Sequence, residues 1–241
     1  MKLAVVSDIH GNAEAFEAVL ADIDISGADK IVCLGDVIGY GPEPNETIKM
    51  ICDRNIPTVL GNHELCIINR EYLSRFNPSA YRSMLITIGM LKEESLRFVK
   101  NLKKSILTYS SRFVHGFPPE SPTKYMFEFD KKGIFDALGK YEERVCFIGH
   151  THSLRLIEID GSAIAHNVLD KGVTQLCADK RYIINAGSVG QPRDGDKHAK
   201  YIIWDTLNDS IEVKYISYDI NSVVNKIIKA GLPERNARRL L

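Results

Sequence analysis

Polar residues follow directly after short apolar runs at five places in the first 152 residues, and this pattern constrains the fold more than any other feature. Each apolar run is typical of a buried strand. The polar segments that end these runs are Asp8-Ile9-His10, Gly35-Asp36, Gly61-Asn62-His63-Glu64, His115-Gly116 and Gly149-His150-Thr151-His152. Because ligands of open α/β sheets bind at the carboxyl ends of the strands, we expect these side chains to converge on one site.

Each polar segment taken alone has an ordinary explanation. An Asp-x-His after a strand is often a turn, and a single histidine such as His115 is often a core residue bonded to a backbone carbonyl. Five such segments, each at a predicted strand end, together favour a shared site over coincidence. Only His166 and His198 of the histidines lie outside these segments.

The periodicity of the chain predicts an α/β protein with two sheets. Asn12 is a candidate N-cap for a helix whose apolar face carries Phe16, Val19, Leu20 and Ile23. We predict strands at 3–6, 31–34, 57–60, 106–109, 112–115, 145–149, 154–159, 181–185, 201–204 and 210–215. We predict helices near 45–52, 81–90, 93–102, 133–138 and 220–230. Helices alternate with strands at first, and strands dominate later, so two packed sheets with helices outside are expected in one domain spanning 1–241.

Composition excludes some classes of function and sets the expected compartment. The chain has 31 Lys and Arg against 31 Asp and Glu, so no basic stripe marks it as a nucleic-acid binder. Its five cysteines form no CxxC pair, which favours reduced thiols in a cytoplasmic protein. No apolar run approaches the roughly 20 residues of a membrane span, and no signal peptide is evident. Residues 233–241, with three arginines, are expected to be a solvated, frayed terminus.

The residue types of the five segments indicate which metals would bind. Asp oxygens and neutral His nitrogens without Cys suit Mn²⁺, Fe²⁺, Ni²⁺, Co²⁺ or Zn²⁺ rather than a thiolate zinc site. Two carboxylates, four imidazoles and one amide exceed the needs of a single ion. A site for two divalent transition-metal ions accounts for the surplus, and Mn²⁺ is the first choice.

Together the five segments resemble the motifs of the calcineurin-like metallophosphoesterase family. The segments 35–42 and 185–193 look like those of its bacterial and archaeal phosphodiesterase-like branch. The resemblance implies an α/β fold, a four-layer α-β-β-α sandwich with two mixed β-sheets flanked by helices. It also implies two metal sites that share Asp36. The first would be Asp8, His10, Asp36 and His152, and the second Asp36, Asn62, His115 and His150.

The same resemblance implies hydrolysis of a small phosphorylated substrate, such as a nucleotide, by attack of a metal-bridging hydroxide on a phosphodiester or phosphomonoester. His63 would be the catalytic residue that donates a hydrogen bond or a proton to the leaving oxygen. Gly39 and Tyr40 stand where phosphoprotein phosphatases and symmetrical dinucleoside tetraphosphatases have Asp and Arg, which argues against assignment to either subfamily.

Several alternatives stay open at the level of sequence. Arg193 is either a substitute cation or an ordinary loop arginine, and Tyr40 and Phe117 either stack on the substrate or pack within the protein. The main functional alternative is a non-catalytic metal-binding scaffold of the same fold, and a nuclease is a third. No membrane partner is expected, and nucleic acid is disfavoured as a partner. A homodimer is expected only because homodimers are common among soluble proteins.

Overall fold

The computed structural model describes residues 1–241, which form eleven strands and eight α-helices. The strands are β1 (Lys2–Val6), β2 (Lys30–Cys33), β3 (Ser105–Thr108), β4 (Ser111–Val114), β5 (Val145–Ile148), β6 (Leu154–Asp160), β7 (Ala163–Val168), β8 (Gly172–Gln175), β9 (Arg181–Ala186), β10 (Ala199–Asp205) and β11 (Ser210–Ile216). The helices are α1 (Ala13–Ser26), α2 (Pro44–Asp53), α3 (Asn62–Ile68), α4 (Pro78–Met90), α5 (Glu93–Lys100), α6 (Lys131–Leu138), α7 (Ile220–Lys229) and α8 (Glu234–Arg238). Short 3-10 helices span Arg70–Arg75 and Met126–Glu128.

The strands form two mixed sheets. The five-stranded sheet has the order β2-β1-β10-β11-β8, and the six-stranded sheet has the order β3-β4-β5-β9-β6-β7. The pairs β1–β2, β4–β5 and β5–β9 are parallel, and the other neighbours are antiparallel. The predicted fold class, two mixed sheets flanked by helices, is therefore confirmed.

Alternating side chains explain why four layers form. In β1, Leu3 and Val5 belong to the core between the two sheets, whereas Ala4 and Val6 belong to the core beneath α1 and α2. Successive strand residues point to opposite faces, so a strand that is apolar throughout must be covered on both sides. β5 behaves in the same way in the second sheet, where its outer face packs against α6.

The predicted strand at 57–60 is wrong. This segment makes only single parallel bridges, from Thr58 to Cys33 and from Val59 to Lys103. The first part of the segment bonds to Cys33 at the end of β2, and its last residue, Leu60, donates its N–H to the Lys103 carbonyl. Because the segment changes partner, neither pairing is long enough to form a strand. The pattern also did not predict α3, which begins one residue after Gly61, or the exposed strands β7 and β8.

The expectation of a frayed terminus at 233–241 is also wrong. Leu232, Ala237 and Leu240 pack with Val223 and Ile227 of α7 in a separate apolar cluster. This burial stabilises α8, and it leaves the arginines of the segment on other faces. No helix of the chain has the length and apolarity needed to cross a bilayer.

Candidate metal centre

The five polar segments meet in one buried cluster. Two groups of potential ligand atoms correspond to the two sets expected from sequence: Asp8, His10 and His152 form one, and Asp36, His115 and His150 form the other. Asn62 lies beside the second group, with its Oδ1 3.1 Å from His115 Nε2. The structure thus brings together all seven side chains expected to bind metal. His63 lies in a third group with His10 and Asp36.

The two carboxylates occupy the middle of the cluster. Asp36 Oδ2 lies 3.2 Å from His115 Nε2 and 3.7 Å from His10 Nε2, so it reaches both groups. Asp8 Oδ1 lies 3.3 Å from His152 Nε2. This Asp8 oxygen is buried and has no hydrogen-bond partner. A buried, unpartnered carboxylate oxygen is costly unless a cation binds it.

The histidine rings are oriented so that, in their neutral forms, the unprotonated nitrogens face each other. One nitrogen of each ring lies against a backbone carbonyl: His10 Nδ1 at 3.0 Å from Ile38, His115 Nδ1 at 2.8 Å from Leu34, His150 Nε2 at 3.2 Å from Thr123, and His152 Nδ1 at 2.6 Å from Gln191. Because a carbonyl only accepts, that nitrogen carries the proton of a neutral ring and the other nitrogen has a free lone pair.

The free nitrogens then form two close pairs. His10 Nε2 is 3.1 Å from His152 Nε2, and His115 Nε2 is 3.2 Å from His150 Nδ1. Two lone pairs at this distance repel unless a proton or a metal ion lies between them. The donor set therefore fits two divalent cations with nitrogen and oxygen ligands.

The electrostatics of the cluster favour positive charge. Burial alone raises the pKa of the Asp36 carboxyl, but His115 and His63 outweigh burial and hold that pKa well below its usual value. Burial lowers the pKa of His115, yet the Asp36 and Asp8 carboxylates raise it to about 9. Burial and the neighbouring His115 lower the pKa of His150 to about 4. The carboxylates thus remain ionised and attract cations.

Five of the seven expected ligands have left-handed backbone conformations. The φ angles are 52° at Asp8, 52° at His10, 50° at Asp36, 68° at His150 and 59° at His152. Such conformations cost residues other than glycine of order 1–3 kcal/mol each and concentrate at functional sites. They turn each side chain sharply after its strand, and the sequence pattern did not predict them.

Glu64 joins the second and third segments, a role that the sequence did not reveal. Its fully buried carboxylate accepts hydrogen bonds from the backbone N–H groups of Asp36 at 2.8 Å, Ile38 at 3.1 Å and Gly61 at 3.1 Å. A second bond joins the same two segments: Asp36 Oδ1 accepts from the backbone N–H of His63, near the start of α3, at 2.9 Å. The loop and the helix are therefore held in a fixed relation.

His63 lies at the base of an open cleft of about 250 Å³ above the cluster. Its Nε2 is 3.9 Å from Asp36 Oδ2, and its Nδ1 is 3.1 Å from the sulfur of Met84. Burial lowers the pKa of His63 to about 3, although Asp36 opposes this shift. Gly39 leaves room for the ring, since a Cβ at that position would lie 2.1 Å from His63 Nδ1.

The two aromatic residues considered from sequence lie in different environments. Tyr40 lines the cleft, with its ring centroid 4.7 Å from that of His63. Phe117 is buried and stacks on Phe129 at 3.7 Å within the outer core of the second sheet, so it packs within the protein. Tyr125, which the sequence did not indicate, stacks on His150 at 3.9 Å and forms one wall of the cleft.

A larger cavity of about 510 Å³ lies beyond Tyr125, between the 3-10 helix at 126–128 and strands β6 and β7. Its walls include Met126, Phe129 and Ile157, and none of the seven expected ligands lines it. The chemistry therefore belongs to the smaller cleft, where the polar groups converge.

The fold and the cluster define an α/β sandwich protein with a buried Asp/His cluster that could hold metal ions. A sequence profile of the calcineurin-like phosphoesterase superfamily domain matches residues 1–209. The chain belongs to this superfamily, whose members are phosphoesterases.

Individual relatives agree with this assignment. A protein of Methanocaldococcus jannaschii described as uncharacterized is 38% identical over 243 residues, covering 99% of this chain and 96% of that protein. The crystal structure of a metallophosphoesterase from Sphaerobacter thermophilus superimposes with a TM-score of 0.86 at 33% identity, covering 100% of this chain and 98% of the other. A symmetrical bis(5'-nucleosyl)-tetraphosphatase of Delftia acidovorans is 34% identical over 71 residues, which are 28% of this chain and 25% of that protein.

Proposed function

We propose that the protein is a dinuclear metal-dependent phosphoesterase that hydrolyses a small phosphorylated substrate in the cleft above Asp36 and His63. The single observation that carries this proposal is the pairing of lone-pair nitrogens, His10 with His152 and His115 with His150, around two buried carboxylates. This arrangement attracts positive charge and can hold metal ions, and an open, polar cleft lies directly over it.

The ligand sets are those that the family resemblance implies, and the groups of close ligand atoms support them. Asp8, His10, Asp36 and His152 would hold one ion, and Asp36, Asn62, His115 and His150 the other, with Asp36 shared. When bound, two such ions lower the pKa of a coordinated water and withdraw negative charge from phosphate oxygens. Mn²⁺ is our first choice, because oxygen and imidazole ligands without thiolate suit it.

The chain's own residues position the substrate and the leaving group. His63 lines the cleft with its Nε2 3.9 Å from Asp36 Oδ2, and in the tautomer protonated on Nε2 it would donate a hydrogen bond to the leaving oxygen. The bond from the His63 backbone N–H to Asp36 Oδ1 positions the start of α3, which carries the ring. The rings of Tyr40 and Tyr125 line the cleft.

The test is hydrolysis of bis-p-nitrophenyl phosphate and p-nitrophenyl phosphate by protein loaded with Mn²⁺, with and without a chelator. We expect chelator-sensitive turnover of at least one substrate. His63→Ala should keep both metals and lose about 10²–10⁴-fold in rate. The matched control is His198→Ala, an exposed histidine outside the cluster, which should keep full activity. Bound metal without turnover of either ester would favour a non-catalytic scaffold.

A further inference from the structure

Three arginines from separate parts of the chain line the cleft. Arg75 ends the first 3-10 helix, Arg193 lies in the loop after β9, and Arg239 follows α8. The guanidinium groups of Arg193 and Arg239 both donate to Gln191 Oε1, at 2.9 and 3.0 Å. The Arg193 guanidinium also lies 5.6 Å from the centre of the Tyr40 ring.

Neither Arg193 nor Arg239 has an acidic partner, although acids lie close in sequence. Asp194 pairs with the buried Lys200 at 2.6 Å, and Glu234 pairs with Arg238 at 2.9 Å. Two cations therefore share one neutral amide oxygen, and burial together with Arg193 lowers the pKa of Arg239 from its usual value. An anion bound between the two guanidinium groups would relieve this repulsion.

The arginine pair is fixed beside the metal centre. The backbone carbonyl of Gln191 accepts from His152 Nδ1, so the same residue orients a metal-ligand candidate and holds both guanidinium groups. Asn236 of α8 is buried, and its side chain donates to the Tyr40 carbonyl at 2.9 Å. Arg239 is thus positioned by the last helix, which lies outside the residues matched by the family profile.

We propose that Arg193 and Arg239, with Arg75 at the rim, bind a second phosphate group of the substrate, so that the preferred substrates carry two or more phosphates in series. This inference rests on the proposed function, since it assigns the first phosphate to the metal centre. The cleft volume of about 250 Å³ is below the roughly 300–1,000 Å³ of pockets for whole drug-sized ligands. It suits a short phosphate chain whose organic part extends outward.

The kinetic test compares ADP, which has two phosphates, with bis-p-nitrophenyl phosphate, which has one. For Arg239→Ala we expect the ratio of kcat/KM for ADP to that for the diester to fall about tenfold, mainly through KM, as suits one partly exposed charge-assisted hydrogen bond. Arg239→Lys should lose less. The matched control is Arg238→Ala, at the neighbouring residue that ends α8 and pairs with Glu234, which should leave the ratio as in the wild type.

A binding test keeps this inference separable from the proposed activity. Calorimetry should show that wild-type protein prefers α,β-methylene ADP over AMP by about tenfold and that Arg239→Ala loses this preference. If no substrate is hydrolysed but the preference and its loss are seen, the proposed function fails and the arginine site stands. An unchanged ratio, or equal losses for ADP and the diester, would overturn the arginine site. A loss confined to binding of a single-stranded oligonucleotide would also overturn it.

Discussion

Replacing Gly39 with alanine should disable His63 without touching a metal ligand. Gly39 has a φ of +90°, and an added Cβ would lie 2.1 Å from His63 Nδ1 and 2.8 Å from its Cε1. The ring has little space to retreat, because the Met84 sulfur lies 3.1 Å from the same nitrogen and the Phe76 ring centroid is 4.9 Å away.

The size of the effect follows from these distances. Ordinary contact begins near 3.4 Å, so the ring must move by about 1.3 Å. A misplacement of about 1 Å in a reacting group can cost on the order of 10²-fold in rate. The loss should not exceed that of His63→Ala, about 10²–10⁴-fold. The left-handed backbone adds about 1–2 kcal/mol of destabilisation for a residue with a Cβ.

A double-mutant cycle tests the reasoning. Rates with bis-p-nitrophenyl phosphate and metal content by mass spectrometry would be measured for Gly39→Ala, His63→Ala and the combined variant. We expect unchanged metal content, and a combined variant no slower than His63→Ala, because both changes remove the same group. The control is Gly89→Ala, at an exposed site in α4 with open space around it, which should keep the full rate. Losses that multiply, or loss of metal in Gly39→Ala, would refute the argument.

Three further predictions concern the metal, the thiols and the core. Asp36→Asn should lose metal and activity together, and the stabilisation of about 2.7 kcal/mol that Mn²⁺ gives the wild type at 100 times Kd should fall sharply in calorimetric melts. Iodoacetamide should label only Cys52 and Cys177 in native protein, as read by mass spectrometry, because the other three thiols are buried; labelling of all five would contradict the fold. Lys200→Ala should lower the urea unfolding free energy by about 2 kcal/mol, since it leaves Asp194 without its buried partner; an unchanged midpoint would show that the pair contributes nothing.

Local pattern was enough to predict elements that are decided by burial. The helix after Asn12 begins where the N-cap was expected, because the Asn12 side chain accepts from the Ala15 N–H at 3.1 Å. The polar residues at the strand ends were also predictable, because each apolar run of a buried strand stops where the chain reaches the polar cluster. β7 was missed because most of its residues are exposed, which leaves no apolar alternation to read.

Features that depend on distant parts of the chain could not be predicted in this way. Stacking of Tyr125 on His150 and the approach of Arg239 to Gln191 join segments separated widely in sequence. The apolar residues Leu232, Ala237 and Leu240 were a signal that the last segment packs against the protein, but the nearby arginines favoured a solvated tail. Glu64 was visible within its motif, yet its three backbone donors lie in two different segments.

Five expected ligands have a left-handed backbone, namely Asp8, His10, Asp36, His150 and His152. This strain affects which variants would be selected for thermal stability alone. Glycine would relax the strain at each of these positions, so variants that melt later in the absence of metal should arise readily there. Every such gain would remove a nitrogen or oxygen from the centre. A screen that selects for a higher melting temperature without measuring turnover would therefore enrich stable variants that have lost activity.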